Sequence, residues 1–311
     1  MVLIPHTEGF ISFKHPSLPA DVECKTWYKV VGNLSSGKRP LVTLHGGPGA
    51  THLYVTEPFD SYAAKTGTPV VYYDQIGCGK STHLREKRLD ESFWTIDLFV
   101  AELDNVLTHL GIRGDFDLYG HSWGAMLAPN YALSTVSQGC GLHRLILASG
   151  PCSMADWEAA GEKFVQEQPK EVQEAIRKYS KEGKYDAPEY KEALMRIYSV
   201  HMCRLDPWPQ VLVDAFTQLE EDDTVYMTMQ GPDELTVLGS LKNFDMSESC
   251  KGIKVPTLVI NGEFDQCSDA CAKPWFDGID KVKWITIGDG AHMVHLEQPD
   301  KYIDVVRNFL S

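Results

Sequence analysis

From residue 9 to residue 148, strand-length apolar runs alternate with segments of helical spacing. No other feature of the 311 residues narrows the fold as much. Gly9–Lys14 and Lys25–Gly32 read as an opening hairpin or meander. Pro40–Leu44, Val70–Tyr73, Phe116–Tyr119 and Leu145–Ala148 are short apolar runs bounded by glycine-rich or polar breakers. Between them, Trp94–Leu110 places Ile96, Phe99, Val100, Leu103, Val106, Leu107 and Leu110 at the period of a helix. Strands that alternate with helices predict a parallel sheet covered on both faces.

The texture changes after Gly150-Pro151. Residues 156–245 are rich in Glu, Lys, Gln, Tyr and Met, with amphipathic stretches at Lys170–Tyr179, Pro188–Tyr198 and Gln210–Glu220 and no strand pattern. Strands resume at Thr257–Ile260 and Val282–Ile287, and a closing helix is predicted from Pro299 to Leu310. The expected organisation is an α/β core of residues 1–150 and 251–311 interrupted by a helical cap of residues 151–250. The charged run Leu84–Glu91 reads as a solvated face or loop.

Composition removes several classes of function. A net charge of −14 opposes binding to nucleic acid or to an anionic membrane surface, and is compatible with cationic ligands. Met1–His6 has neither the basic nor the apolar region of a signal peptide, and no run approaches the ~20 apolar residues of a spanning helix. The eight cysteines are scattered, so free thiols in a reducing cytoplasm are expected. Cys267 and Cys271 lack the partner pair of a zinc site, so no metal is predicted. No segment specifies an oligomeric state.

The sharpest local signal is Gly120-His121-Ser122-Trp123-Gly124, which fits G-x-S-x-G between the strand Phe116–Tyr119 and a helical run, Ala125–Leu133. That context is where a serine can be held on a strained turn with its hydroxyl exposed. The helix behind it offers N–H groups to a developing oxyanion. A serine nucleophile needs a base, and the base needs an orienting group. Thr257–Ile260 runs into Asn261-Gly262-Glu263-Phe264-Asp265, and Trp284–Ile287 runs into Gly288-Asp289-Gly290-Ala291-His292. Each places a candidate beyond the C-terminal end of a strand, the edge where such sheets gather their sites. The order Ser122, Asp265, His292 is that of an α/β-hydrolase. His295 competes with His292, and Glu263 and Asp269 compete with Asp265. His121 reads as structural. A second glycine-rich turn, His45-Gly46-Gly47-Pro48-Gly49, can aim a backbone N–H at the substrate oxygen together with the N–H of Trp123.

Almost the whole chain resembles the proline iminopeptidase (prolyl aminopeptidase) family of α/β-hydrolase serine peptidases. The resemblance rests on HGGPG (45–49), YDQIGCGKS (73–81), GHSWGAMLA (120–128), GEFD (262–265) and GAHMVHLEQP (290–299). It implies a mainly parallel eight-stranded sheet with a helical cap after the sixth strand, and no cofactor. It also implies removal of an N-terminal proline or other small or apolar residue from peptides or amino-acid amides through an acyl-enzyme. By the same resemblance Ser122 is the nucleophile, His292 the base and Asp265 its orienter. Gly47 and Trp123 are the oxyanion donors, with Gly46 the alternative. Gly231-Pro232-Asp233-Glu234 resembles the family's GPxE segment, whose glutamate binds the substrate's α-amino group. Relatives usually carry a second glutamate where this chain has Gln266, an amide that accepts a hydrogen bond but brings no charge. That departure keeps a carboxylic-ester or lactone hydrolase on the same triad as the alternative. The cap aromatics Trp157, Tyr198, Trp208 and Tyr226 are expected to pack the cap more than to line a pocket.

Overall fold

The computed structural model describes residues 5–311, so most of the segment read for a leader, Met1–Ile4, lies outside the described residues. The chain opens with β1 (His6–Ser12) and β2 (Lys25–Val31), followed by β3 (Leu41–Leu44), α1 (Leu53–Thr66) and β4 (Val70–Tyr73). Next come α2 (Ile96–His109), β5 (Phe116–His121), α3 (Trp123–Leu133) and β6 (Leu142–Ala148). Five helices follow: α4 (Met154–Gln166), α5 (Lys170–Glu182), α6 (Pro188–His201), α7 (Gln210–Glu221) and α8 (Thr224–Met229). The chain closes with β7 (Thr257–Gly262), α9 (Asp269–Gly278), β8 (Val282–Ile287), α10 (Val294–Glu297) and α11 (Pro299–Leu310). The eight strands form one sheet in the order β1-β2-β4-β3-β5-β6-β7-β8. The β1–β2 and β2–β4 pairs are antiparallel, and every pair from β4 onward is parallel.

The alternation of side chains along each strand divides the core in two. Val42, Leu44, Val71, Tyr73, Leu118, Leu145, Leu147 and Val259 face one layer, which includes Leu103 and Val106 of α2 and Leu127 of α3. Their neighbours Leu41, Val70, Tyr72, Tyr119, Ile146, Leu258 and Ile260 face the other, with Phe59 of α1 and Val306 of α11. Central strands buried on both faces read as continuous apolar runs, which is why they stand out in the sequence. Thr95 accepts from the Leu98 N–H and so begins α2 at Ile96, two residues after the Trp94 start that the apolar spacing suggests. Among the described residues no helix is long and apolar enough to cross a membrane, and no group of candidate ligands can hold a metal ion.

One acid is placed against expectation. Glu102 on α2 is fully buried, accepting from Thr26 Oγ1 and from the Ile76 N–H at 2.9 Å and 3.0 Å. Burial pushes its carboxyl up to about 8, more than these hydrogen bonds pull it down. The folded state therefore holds a proton there that the unfolded chain releases near pH 4, so this residue withdraws stability as pH rises from about 4 to 8. Glu102→Gln keeps the shape without the titration. Its melting temperature is expected close to the parent's at pH 5 and clearly above it at pH 9. An equal difference at both pH values would contradict the protonated, buried acid.

Candidate active site

Ser122 lies between β5 and α3 with φ 55° and ψ −120°, a left-handed conformation that costs a non-glycine residue about 1–3 kcal/mol. The surrounding backbone enforces it. The Ser122 N–H donates to Ala148 O at 2.9 Å, and its carbonyl accepts from the Ala125 N–H at 2.8 Å. Both flanking glycines are required by close approach. A Cβ on Gly120 would stand 2.1 Å from Gly124 O, and one on Gly124 would stand 2.3 Å from Leu44 O.

Asp265 follows β7 and His292 follows β8. The His292 Nδ1–H donates to Asp265 Oδ1 at 2.8 Å, which leaves Nε2 free of its proton. Asp265 is itself fixed by the N–H groups of Cys267 (2.8 Å, to Oδ1) and Gly262 (3.2 Å, to Oδ2). Both residues are at most 2 % exposed. Ser122 Oγ has no hydrogen-bond partner among the described residues, and catalytic hydrogen bonds are often long before substrate binds. Backbone bonds complete the frame. The last carbonyl of α6, on His201, accepts the N–H of both His292 (3.0 Å) and Gln266 (3.1 Å). A helix C-terminus has unpaired carbonyls to offer, and here they clamp two loops of the core.

The competing residues lie elsewhere. His295 Nε2 donates to Tyr54 O at 3.1 Å, with no carboxylate beside it, and burial pushes its ring down to about 3. Glu263 accepts from the Asp289 N–H at 3.0 Å, and Asp269 accepts from Asn261 Nδ2 at 2.9 Å; neither bonds to a histidine. His121 is structural. Its Nε2 donates to His292 O and its Nδ1 accepts from the Tyr54 hydroxyl, both at 3.0 Å, while burial holds the ring well below the usual histidine range.

The HGGPG turn lies against the serine: a Cβ on Gly46 would stand 2.9 Å from Ser122 Cβ. The Gly46 N–H is already donated to the Tyr54 hydroxyl at 2.6 Å, which removes it from the contest for the oxyanion. The N–H groups of Gly47 and Trp123 have no protein acceptor among the described residues. Gly47 reaches this orientation at φ 107°, a region open to glycine. The Trp123 indole donates to Gln75 Oε1 at 2.8 Å, and the Gln75 N–H donates to His45 Nε2 at 3.0 Å. The YDQIGCGKS segment thus braces both turns.

Glu234 follows α8 and is partly exposed. Tyr226 donates to its Oε1 at 2.7 Å, the Tyr198 hydroxyl accepts its N–H at 3.2 Å, and Trp157 Nε1 donates to its carbonyl at 2.7 Å. Desolvation pushes the carboxyl up, while Tyr226 and the neighbouring His292 ring pull it down. Its Oε2 has no protein partner among the described residues. Three of the four aromatics expected mainly to pack, Trp157, Tyr198 and Tyr226, therefore hold this glutamate. Trp208 does pack, against Phe216. Trp157 also meets the His292 ring edge-on at 5.8 Å. Gln266 is 3 % exposed, and neither its Oε1 nor its Nε2 has a partner among the described residues. His201 contributes to this frame although no motif in the sequence marks it. It acts through its carbonyl, and a backbone role leaves no mark in residue type.

Residues 41–305 match the alpha/beta hydrolase family, the class defined by a mainly parallel eight-stranded sheet with a serine elbow. The chain is 34% identical over 305 residues to the proline iminopeptidase of Clostridium botulinum, covering 98% of both proteins. Its structure is similar to that of VinJ, with a TM-score of 0.91, 39% identity and 98% of each chain covered. It is also similar to the proline iminopeptidase of Mycobacterium smegmatis, with a TM-score of 0.85, 35% identity and 98% and 97% of the two chains covered. The chain belongs to the proline iminopeptidase family.

Proposed function

We propose that the protein is a serine aminopeptidase that removes an N-terminal proline, or another small or apolar residue, from short peptides and amino-acid amides. Ser122 attacks the carbonyl carbon as His292 Nε2 takes its proton, and Asp265 holds the ring and stabilises the imidazolium. The oxyanion is received by the N–H groups of Gly47 and Trp123. His292 then protonates the leaving amine, and water attacks the acyl-enzyme by the same route in reverse. Helices α4–α8, within residues 151–250, act as the cap over this site.

The observation that carries the substrate class is Glu234, a carboxylate with one oxygen held by Tyr226 and the other open, bonded through its carbonyl to Trp157, whose ring meets His292. An ammonium one residue's length from the scissile carbonyl complements it through a charge-assisted hydrogen bond. Such a bond contributes about 1.5–3 kcal/mol, or roughly ten- to hundredfold in affinity. Glu234→Gln is expected to raise KM for a prolyl arylamide by that factor and to leave an N-acylated ester unchanged. Equal effects on both substrates would remove Glu234 from amine recognition and favour the ester or lactone hydrolase that Gln266 suggests. The eight free thiols, seven of them buried, support a reducing, cytoplasmic setting.

A further inference from the structure

The run Leu84–Glu91 is the largely exposed loop expected of it, yet it is tied down at several points. Leu84 is buried, and the Trp94 indole ties the run to the core by donating to Lys87 O at 3.0 Å. Its charges meet two acids of the cap. Arg88 forms a two-pronged pair with Asp223, at 2.7 Å and 2.8 Å, and Arg85 Nε reaches Asp222 Oδ2 at 3.1 Å. His83 Nδ1 bonds the same oxygen of Asp222, while its Nε2 bonds Gly79 O at 2.9 Å. Both ring nitrogens thus face oxygen atoms, one on each side of the loop-to-helix contact. The Asp222 side chain is 3% exposed. A carboxylate so far removed from water depends on the side chains that face it, Arg85 and His83, and losing either weakens the compensation of a buried charge.

These contacts converge on α8. Asp222 Oδ1 accepts the Thr224 N–H at 3.2 Å, and Thr228 Oγ1 accepts the Leu89 N–H at 2.8 Å, so the loop grips both ends of this short helix. Val225 sits on two glycine turns of the core. A Cβ on Gly77 would stand 2.5 Å from Val225 Cγ2, and one on Gly49 would stand 3.2 Å from Val225 Cβ. The next residue is Tyr226, which holds Glu234. We propose that His83, Arg85 and Arg88 clasp Asp222 and Asp223, and that this core-to-cap clasp positions α8 so that Tyr226 presents the Glu234 carboxylate to the substrate amine. The clasp residues are positioning residues that act through Tyr226, and the inference rests on the amine-binding reading of Glu234.

The test uses His83→Ala, Asp222→Asn and the double variant of the full chain. Steady-state kinetics are read beside amide hydrogen exchange. Each single variant is expected to speed exchange in residues 224–229 while leaving α3 protected. Each is also expected to raise KM for a prolyl arylamide by about fivefold or more, with kcat within about twofold and an N-acylated ester unaffected. The double variant should be no worse than the worse single one, because the two groups act as one pair. Unchanged exchange over α8 would overturn the clasp. Faster exchange with an unchanged amine KM, in a protein whose Glu234→Gln variant does raise it, would overturn its positioning role. If Glu234→Gln itself leaves the amine KM unchanged, the amine reading fails and the clasp is judged on exchange alone.

Discussion

Ser122→Ala is expected to lower kcat for a prolyl arylamide by about a millionfold, the scale seen when a serine hydrolase loses its nucleophile. The residual rate, roughly a thousandfold or more above that in water, would come from the oxyanion donors and substrate binding alone. The fold should hardly register the change. Ser122 Oγ makes no hydrogen bond among the described residues, and alanine meets the same φ of 55° that the serine already tolerates. A stability change within ~0.5 kcal/mol is expected, one or two degrees in melting temperature for a chain this long. Activity and stability are therefore predicted to separate cleanly. Arylamidase activity retained in this variant would remove Ser122 from the reaction.

Asp265→Asn is expected to cost about ten-thousandfold in kcat, for a reason that can be followed atom by atom. The carboxylate accepts three hydrogens: from His292 Nδ1 and the Cys267 N–H at Oδ1, and from the Gly262 N–H at Oδ2. An amide offers one acceptor oxygen and one donor nitrogen. With its oxygen toward His292, its NH2 group opposes the Gly262 N–H. Turned over, the NH2 group opposes the histidine and drives it to the tautomer whose Nε2 carries the proton and cannot act as base. Either way one buried donor loses its partner, at about 1–3 kcal/mol of stability. Unlike Ser122→Ala, this variant should be both slow and measurably less stable. Loss of stability with full activity would show that Asp265 braces the loop without orienting the base.

The features legible in the sequence were those with a local code. Central strands such as Val70–Tyr73 were visible because burial on both faces makes them unbroken apolar runs. Ser122, Asp265 and His292 stand out as candidates because each follows a recognisable strand, and strand ends in a parallel sheet converge on one edge. What stayed hidden depends on partners distant in sequence. Nothing around Gly46 tells that the Tyr54 hydroxyl occupies its N–H, because that hydroxyl arrives from α1. Glu234 is held by Trp157 of α4, Tyr198 of α6 and Tyr226 of α8, and only helix packing brings these together. The charges of Leu84–Glu91 are largely solvated, as their pattern suggests, but the pattern does not disclose that Asp222 and Asp223 lie opposite Arg85 and Arg88. Glu102 hid within an amphipathic helix, where a single acid at a buried position does not disturb the apolar period.

The most direct measurement is to titrate the protein with a fluorophosphonate, follow prolyl-arylamide hydrolysis in parallel, and map the adduct by mass spectrometry of its peptides. The predicted result is one adduct per chain, on Ser122, with hydrolysis falling in proportion to labelling. Full labelling of Ser122 with hydrolysis intact, or loss of hydrolysis with the adduct on a different residue, would contradict the central claim.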